Sequence, residues 1–368
     1  KGLIFILTLT LFVSVFFMGT STKADMVETS PGSLEYYEEV ELSKVILGTE
    51  TSYALTEDGR LFGWGYNSYG VIGDGTDIDR LAPVDVTRNF ELDDFEKIIK
   101  ADFGNTLSVV LTNFGRVFTW GNNSGGQLGD GASADTLIPV DITENFALEV
   151  DDMIVDIEVG GDNSFALTES GDLFAWGSNE NGKLGDGTED DQYLPINVID
   201  NIGLYYYETI EMMSLGGEHS MIVTSSGRLI SWGANGEGEL GDGSSTTNST
   251  PTDVTSYLGL HTEEVVVQAI AGYGTSMALT SEGRVMTWGN NEYGQMADGT
   301  LESKSSPVDV TANFSFEEDE YIIEVSTVEG FVIALTNQNR VFTWGYNDDG
   351  QLGTGDSTQY PLPQDITL

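Results

Sequence analysis

The side chains that could take part in chemistry are overwhelmingly acidic. The 368 residues include 60 Asp and Glu, 14 Lys and Arg, two His and no Cys, which gives a formal net charge of −46. Without cysteine, the chain forms no disulfides, thiolate metal sites or cysteine nucleophiles. The negative charge repels polyphosphate, and the sequence has no basic run to serve as an electrostatic footprint. We therefore expect no nucleic-acid binding.

Gly-Asp-Gly loops raise the question of calcium or phosphate binding. They lie at residues 73–75, 129–131, 185–187 and 241–243. A calcium loop needs several oxygen ligands at set spacing, but only one Asp is constant here and its neighbours change. Phosphate is disfavoured because no lysine follows these glycines as it does in a P-loop. We predict no metal site, while individual acidic loops remain candidates for loose cation binding.

The two histidines offer little for catalysis. His219 lies in the sequence Gly216-Gly217-Glu218-His219-Ser220, which suggests core or turn packing, and His261 lies in a polar stretch between repeats. Neither histidine has a partner that recurs with it. Carboxylate pairs of the glycosidase type remain open, since 60 acids form some pairs by chance. We predict no catalytic residue, no cofactor and no enzyme. A hydrolase is kept as the third functional hypothesis, after the two binding functions given at the end of this subsection.

The elements that must position these side chains repeat every 56 residues. Glycine follows each tryptophan, asparagine lies three residues past it, glycine six past it and proline nineteen past it. A fixed period of this kind is the signature of a repeat architecture. The only six tryptophans are Trp64, Trp120, Trp176, Trp232, Trp288 and Trp344.

Each repeat reads as four short strands. A β-branched strand ends at a glycine, a small apolar strand ends in Leu-Thr, and Gly59 and its counterparts supply the positive φ of a hairpin turn. The third strand leads into the tryptophan, and the fourth is expected to begin after the proline, as at Val84–Thr87 and Val140–Thr143. Four antiparallel strands per unit predict an all-β fold, a β-propeller of six four-stranded blades.

The N-terminal residues have the order of a signal peptide. Lys1 precedes an apolar run at residues 2–18, and Thr22 and Ala24 occupy the −3 and −1 positions of a cleavage site. We predict a signal peptide at residues 1–24, an acidic lead-in at 25–41 and the propeller at 42–368. An uncleaved membrane anchor is the alternative, but the run falls short of the roughly 20 apolar residues that a span needs. We expect a secreted or cell-surface protein with no membrane span after cleavage.

The repeat resembles that of the regulator of chromosome condensation family. The unit at 160–195 fits the pattern G-x-x-x-S-x-A-L-T…W-G-x-N-x-x-G…L-G-D-G-T…P most closely, and the resemblance covers residues 42–368. It implies a propeller and a binding function, and its layout is similar to that of bacterial secreted members. The family's usual propeller has seven blades, whereas six units are seen here. A six-unit ring and a seventh unit after Leu368 both stay open.

Residues present in all six units are interpreted as structural. The six tryptophans are expected to pack between blades, and Asn67 and its counterparts to satisfy loop backbone groups. Positions that vary between units are free for recognition, which commonly uses loops on a rigid scaffold and aromatic anchors. The candidate partner-binding residues are Tyr66, Tyr69, Tyr193, Tyr273, Tyr293, Phe331, Tyr346 and Tyr360.

The leading hypothesis is therefore a secreted, non-enzymatic scaffold that binds a protein partner through variable loops on one propeller face. The alternative is an extracellular carbohydrate- or cell-wall-binding domain of a surface protein, since tyrosines beside Asp and Asn suit sugars. Fold alone does not choose the target.

Overall fold

The computed structural model describes residues 41–48, 50–328 and 330–367. The predicted signal peptide, and the lead-in apart from Glu41, lie outside the described residues.

Each repeat folds into one blade, a sheet of four antiparallel strands that pair in chain order. Blade 1 consists of β1 (Leu42–Leu47), β2 (Thr51–Thr56), β3 (Leu61–Gly65) and β4 (Arg80–Asp85). Blade 2 consists of β5 (Ile98–Phe103), β6 (Leu107–Thr112), β7 (Val117–Gly121) and β8 (Thr136–Asp141). Blade 3 consists of β9 (Ile154–Val159), β10 (Asn163–Thr168), β11 (Leu173–Gly177) and β12 (Gln192–Asn197).

The second half of the chain repeats the arrangement. Blade 4 consists of β13 (Ile210–Leu215), β14 (His219–Thr224), β15 (Leu229–Gly233) and β16 (Asn248–Asp253). Blade 5 consists of β17 (Val266–Ala271), β18 (Thr275–Thr280), β19 (Val285–Gly289) and β20 (Lys304–Asp309). Blade 6 consists of β21 (Ile322–Val328), β22 (Phe331–Thr336), β23 (Val341–Gly345) and β24 (Tyr360–Asp365). The predicted six-bladed, four-stranded β-propeller is confirmed.

In the part of the chain that the structure describes, helices are confined to single turns in the loops and connections. One is an α-helical turn at Ile199–Ile202, and the others are 3₁₀ turns at Ser68–Gly70, Thr87–Asn89, Thr143–Phe146, Glu180–Gly182, Thr255–Leu258 and Thr311–Asn313. Within the described residues, no helix is long and apolar enough to cross a bilayer.

The core consists of apolar clusters between successive blades. Each of five clusters contains the tryptophan of the later blade, and these five indoles are fully buried: Trp120, Trp176, Trp232, Trp288 and Trp344. First strands of neighbouring blades contact one another, so they surround the propeller axis. The expected packing of tryptophan between blades is confirmed at these five positions.

Blades 1 and 6 each have one sheet face that is less covered than the faces packed between two neighbouring blades. Leu42 is 54 % exposed, whereas Ile98, its counterpart in blade 2, is 2 % exposed. Trp64 is only half-buried. On blade 6, Val341 is half-buried, whereas its counterpart Val285 is fully buried. The first and last blades therefore each keep one partly open apolar side among the described residues.

The fourth strand begins earlier than predicted. In blade 2, Gly121 pairs with Thr136 and Thr119 pairs with Val140, so Pro139 lies inside the strand. The register shifts between these two pairs, opposite Trp120. Proline is accommodated there because an irregular position on the outermost strand requires no ladder donor from it. The expected start after the proline was therefore wrong by several residues.

Candidate protein-binding face

The variable stretches of all six repeats lie at one end of the blades. In an up-and-down antiparallel sheet, the turn between the first two strands and the loop between the last two strands lie at the same end. Hydrogen bonds join these two segments: Tyr66 N donates to Glu50 O (3.0 Å), and Ser178 N donates to Asp162 O (2.9 Å). We call this end the variable-loop face. The opposite end, made of the second turns and the blade connections, is called the hairpin face.

Each long loop of the variable-loop face is held by a buried asparagine. In blade 3, Asn179 Nδ2 lies 3.2 Å from Thr188 O and 3.1 Å from Asp190 O, while its Oδ1 accepts a hydrogen bond from Leu184 N at 2.9 Å. The counterparts Asn67 and Asn347 bond in the same way. The predicted role of this asparagine is confirmed, and the loops consequently rest on a fixed framework.

The aspartate of the Gly-Asp-Gly loop belongs to the same framework. Asp186 Oδ1 accepts hydrogen bonds from Asn179 Nδ2 (3.1 Å) and from Thr188 N (2.8 Å). Asp130 accepts the equivalent pair from Asn123 and Ala132. These carboxylates therefore satisfy their own loops, which accounts for their repetition without a bound cation.

Four of the candidate aromatic residues are exposed on the variable-loop face. Tyr66 and Tyr69 lie in the long loop of blade 1, and each is 45 % exposed. Tyr193 spans a blade junction, where its hydroxyl donates to Ser124 O at 3.3 Å. Tyr273 in blade 5 donates to Asn105 Oδ1 in blade 2 at 2.6 Å, so it extends across the axis of the propeller.

The other four candidates are more covered. Tyr293 and Tyr346 meet edge to face with ring centroids 4.9 Å apart, and the Tyr360 hydroxyl donates to Asp356 at 3.0 Å. Phe331 is buried as the first residue of β22, where it pairs with Gly345. Because its side chain is buried, it belongs to the core and is not a surface contact, so this candidate was wrong.

Charged groups gather along the axis on the first strands of blades 2 and 3. Lys100 Nζ lies 2.6 Å from Asp156 Oδ1 and 3.6 Å from Glu158 Oε2. Burial, together with the charge of Asp102, raises the pKa of Glu158 to about 8. Asp102 accepts a hydrogen bond from Val159 N at 2.8 Å and thereby joins the two strands. The Lys100–Asp156 ion pair and the hydrogen bond from Val159 N to Asp102 therefore link the two blades.

His219 is a buried structural residue, as predicted. Its Nε2 lies 2.8 Å from Ser276 Oγ in the next blade, and burial lowers its pKa to about 4. Ser276 Oγ in turn donates to Glu239 O at 2.6 Å. The imidazole is therefore neutral at physiological pH and connects blade 4 to blade 5.

His261 lies in a small polar cluster on the hairpin face. Its Nδ1 is 2.6 Å from Glu282 Oε2 and 3.6 Å from Glu264 Oε2. This trio is spaced closely enough for a metal ion, a grouping that the sequence pattern did not indicate. Arg284 Nη1 already lies 3.0 Å from Glu264 Oε2. Because the guanidinium supplies the positive charge here, the cluster is best described as an ion-pair network.

A recurring arginine on the hairpin face forms ion pairs with two carboxylates. Arg228 Nη1 lies 2.7 Å from Glu208 and its Nε lies 2.9 Å from Asp253, so one guanidinium ties the start of a blade to the end of its fourth strand. The sequence prediction did not include Tyr205–Tyr207, although the three consecutive tyrosines are visible in the sequence. The structure places them, exposed, on the hairpin face.

The repeats match a family model described as the regulator of chromosome condensation (RCC1) repeat. Matches cover residues 58–111, 115–167, 170–223, 226–279, 282–335 and 338–368. The chain belongs to the RCC1 repeat family. The first match starts in the turn before β3 and ends within β6, so the RCC1 sequence unit spans the junction between two blades.

Relatives of the chain include RCC1-family proteins from a plant and a mammal. The chain is 30 % identical over 345 residues to the ultraviolet-B receptor UVR8 of Arabidopsis thaliana, covering 92 % of this chain and 72 % of the receptor. It is 30 % identical over 322 residues to the E3 ubiquitin-protein ligase HERC2 of Mus musculus. That match covers 87 % of this chain but only 6 % of the ligase.

Solved structures show the same fold. Human WBSCR16 superposes with a TM-score of 0.76 at 23 % identity, covering 90 % of this chain and 83 % of that one. Yeast RCC1 (Prp20), in a structure bound to Kap60, superposes with a TM-score of 0.72 at 20 % identity. Here the coverage is 89 % of this chain and 75 % of Prp20. A further Prp20p structure from Saccharomyces cerevisiae is described together with its binding to Gsp1p and histones.

Proposed function

We propose that this RCC1-repeat chain is a protein-binding scaffold without chemistry of its own, and that it acts outside the cell or at the cell surface. The observation that carries the proposal is the separation of roles on the variable-loop face. Buried asparagines such as Asn179 recur in every unit and hold the loops, whereas the exposed tyrosines differ from blade to blade. A rigid frame with varied exposed aromatics is the composition of a recognition surface.

Two further facts support this function. Yeast RCC1 (Prp20), which shares the fold, has a solved structure with Kap60 bound, so a protein of this fold binds a protein partner in that case. The extracellular location rests on the signal-peptide pattern at residues 1–24. The net charge of −46 favours a partner with a basic contact surface.

The test is affinity capture from a lysate and from the culture medium of the source organism, using the whole chain at low and at moderate salt. We expect a partner that stays bound at moderate salt and is lost when Tyr66 and Tyr69, or Tyr193, are changed to alanine. A Glu180→Ala variant, altered at an exposed acid on the same face, is the matched control. Capture that disappears with salt in every variant would reduce the result to charge attraction and refute the proposal.

Carbohydrate binding is the second candidate. Tyr66 and Tyr69 present two exposed rings in one loop that also carries Asn67, and exposed tyrosines beside Asp and Asn suit sugars. A glycan array, followed by the Tyr66→Ala and Tyr69→Ala variants, separates the two functions. Saturable glycan binding that depends on these rings, without protein capture, would favour the sugar.

A further inference from the structure

The hairpin face carries an aromatic pair that the repeat does not require. Tyr206 and Tyr207 lie in the connection between blades 3 and 4, where they are 85 % and 87 % exposed. Their ring centroids are 3.9 Å apart. In the next connection the corresponding residues are Thr262 and Glu263. The same turn therefore forms without aromatic residues, and the tyrosines need another explanation.

The turn presents the two rings from a fixed base. Tyr205 N donates to Glu208 Oε2 at 2.8 Å, and Glu208 N donates to Tyr205 O at 2.9 Å. Arg228 Nη1 lies 2.7 Å from the same carboxylate, and its guanidinium carbon lies 4.0 Å from the centre of the Tyr205 ring. Tyr205 is thus explained by its contact with Arg228, whereas the rings of Tyr206 and Tyr207 extend beyond this base into solvent.

The backbone conformation adds to the argument. Tyr207 has a φ of 73°, in the left-handed region, and the corresponding Phe95, Asp151, Glu263 and Asp319 have φ values of 68°, 69°, 68° and 60°. Bulky aromatic residues rarely adopt this conformation, and here burial provides no compensation. The conformation itself belongs to the turn, and Phe95 is a single exposed aromatic residue at this position in the first connection, so the paired rings are what distinguish the connection between blades 3 and 4.

The surroundings of the pair are acidic. Four arginines of this face are each paired with two carboxylates and leave no excess positive charge: Arg116, Arg228, Arg284 and Arg340. Asp200, before the tyrosines, and Glu211, after them, are exposed. Two exposed aromatic rings among negative charges attract a cationic group through both the ring faces and the field.

We propose that Tyr206 and Tyr207 form a docking site for a basic segment of a partner protein, with a Lys or Arg side chain lying against the rings. This site is on the opposite end of the blades from the variable-loop face and acts independently of it. An anionic membrane surface or a nucleic acid does not fit, because both would be repelled by the surrounding carboxylates.

The test uses the full chain and a synthetic peptide of sequence Arg-Leu-Arg-Gly-Arg-Leu-Arg-Gly, titrated by calorimetry at moderate salt. We expect saturable binding that weakens about tenfold when Tyr206 and Tyr207 are changed to alanine. The Thr262→Ala, Glu263→Ala variant is the matched control, and the Tyr66→Ala, Tyr69→Ala variant reports on the other face. Both should bind the peptide as the unchanged chain does.

A gain-of-function variant completes the design. Changing Thr262 and Glu263 to tyrosine places a second aromatic pair on the next connection and should raise the peptide stoichiometry from about one to about two. Equal peptide affinity in the Tyr206→Ala, Tyr207→Ala variant overturns the proposal, as does a loss caused by the Tyr66→Ala, Tyr69→Ala variant. If the pair instead binds cellohexaose and ignores the peptide, the proposal of a basic partner is also refuted.

Discussion

The indole Nε1 of Trp176 donates a hydrogen bond to the backbone carbonyl of Gln127, 3.0 Å away in the preceding blade. The same bond recurs at four other blade junctions, such as Trp232 to Lys183 O at 2.8 Å and Trp344 to Gln295 O at 2.8 Å. One residue type thus contributes both the largest buried apolar surface and a satisfied polar group at each junction.

The Trp176→Ala change should destabilise the protein by roughly 3–5 kcal/mol, because it removes a fully buried indole and leaves the Gln127 carbonyl without its donor. The matched control is Trp64→Ala. Because Trp64 is only half-buried, its removal should lower the free energy of unfolding by less than about 2 kcal/mol. Urea unfolding followed by circular dichroism measures both variants. Equal losses of unfolding free energy in the two variants would contradict the difference in burial between Trp176 and Trp64.

The Asn179→Ala change should cost about 2–4 kcal/mol, because Leu184 N and the carbonyls of Thr188 and Asp190 lose their partner in a buried setting. Asn181→Gly in the same loop is the comparison, since Asn181 is only half-buried, its side chain donates to Glu218, and glycine accommodates its left-handed φ of 63°. Thermal unfolding of both variants provides the measurement. A cost below that of Asn181→Gly would refute the framework role.

His219 should make the protein sensitive to mild acid. Burial lowers its pKa from 6.5 to about 4, so its neutral form supports folding above pH 6.5, and that support is lost as the pH falls toward 4. His219→Asn, which copies Asn163 of blade 3, should reduce the loss of unfolding free energy over this range. His261→Asn, at the surface, serves as the control in denaturant titrations at several pH values.

Glu158 should act in the opposite pH direction. With its pKa raised from 4.5 to about 8, the folded protein keeps a proton that the unfolded chain releases, so this contribution is complete below pH 4.5 and is lost as the pH rises through 8. Glu158→Gln should remove on the order of 1 kcal/mol of this alkaline loss. Unfolding at pH 5 and pH 8 tests it, with Glu189→Gln as an exposed control.

The fold was predictable because the same physical demand recurs six times. The tryptophan, asparagine and glycine positions each solve one packing or turn problem per blade, so their spacing carries the architecture. The turn at Asn339 shows the limit of composition, since it keeps the left-handed conformation (φ 62°) where other units have glycine. Asparagine tolerates that conformation better than most residues, so the hairpin survives the change.

The site was predictable only in part, because variation along the repeats does not by itself imply exposure. Phe331 varies between units because each blade fills the same buried position with a different side chain, such as His219 in blade 4. Tyr206 and Tyr207 were not predicted because they lie in a blade connection and not in a loop of the variable-loop face. Only the three-dimensional arrangement separates these cases.

The partly open sides of blades 1 and 6 bear on how the protein unfolds locally. Stability in a repeat array is approximately a sum of unit terms and nearest-neighbour couplings, and an end unit lacks part of one coupling. Amide hydrogens of β1 and β24 should therefore exchange with solvent fastest, and protection should rise toward β10 and β14 in the middle blades. The propeller would open from its ends inward, as a row of blades rather than as a uniform disc.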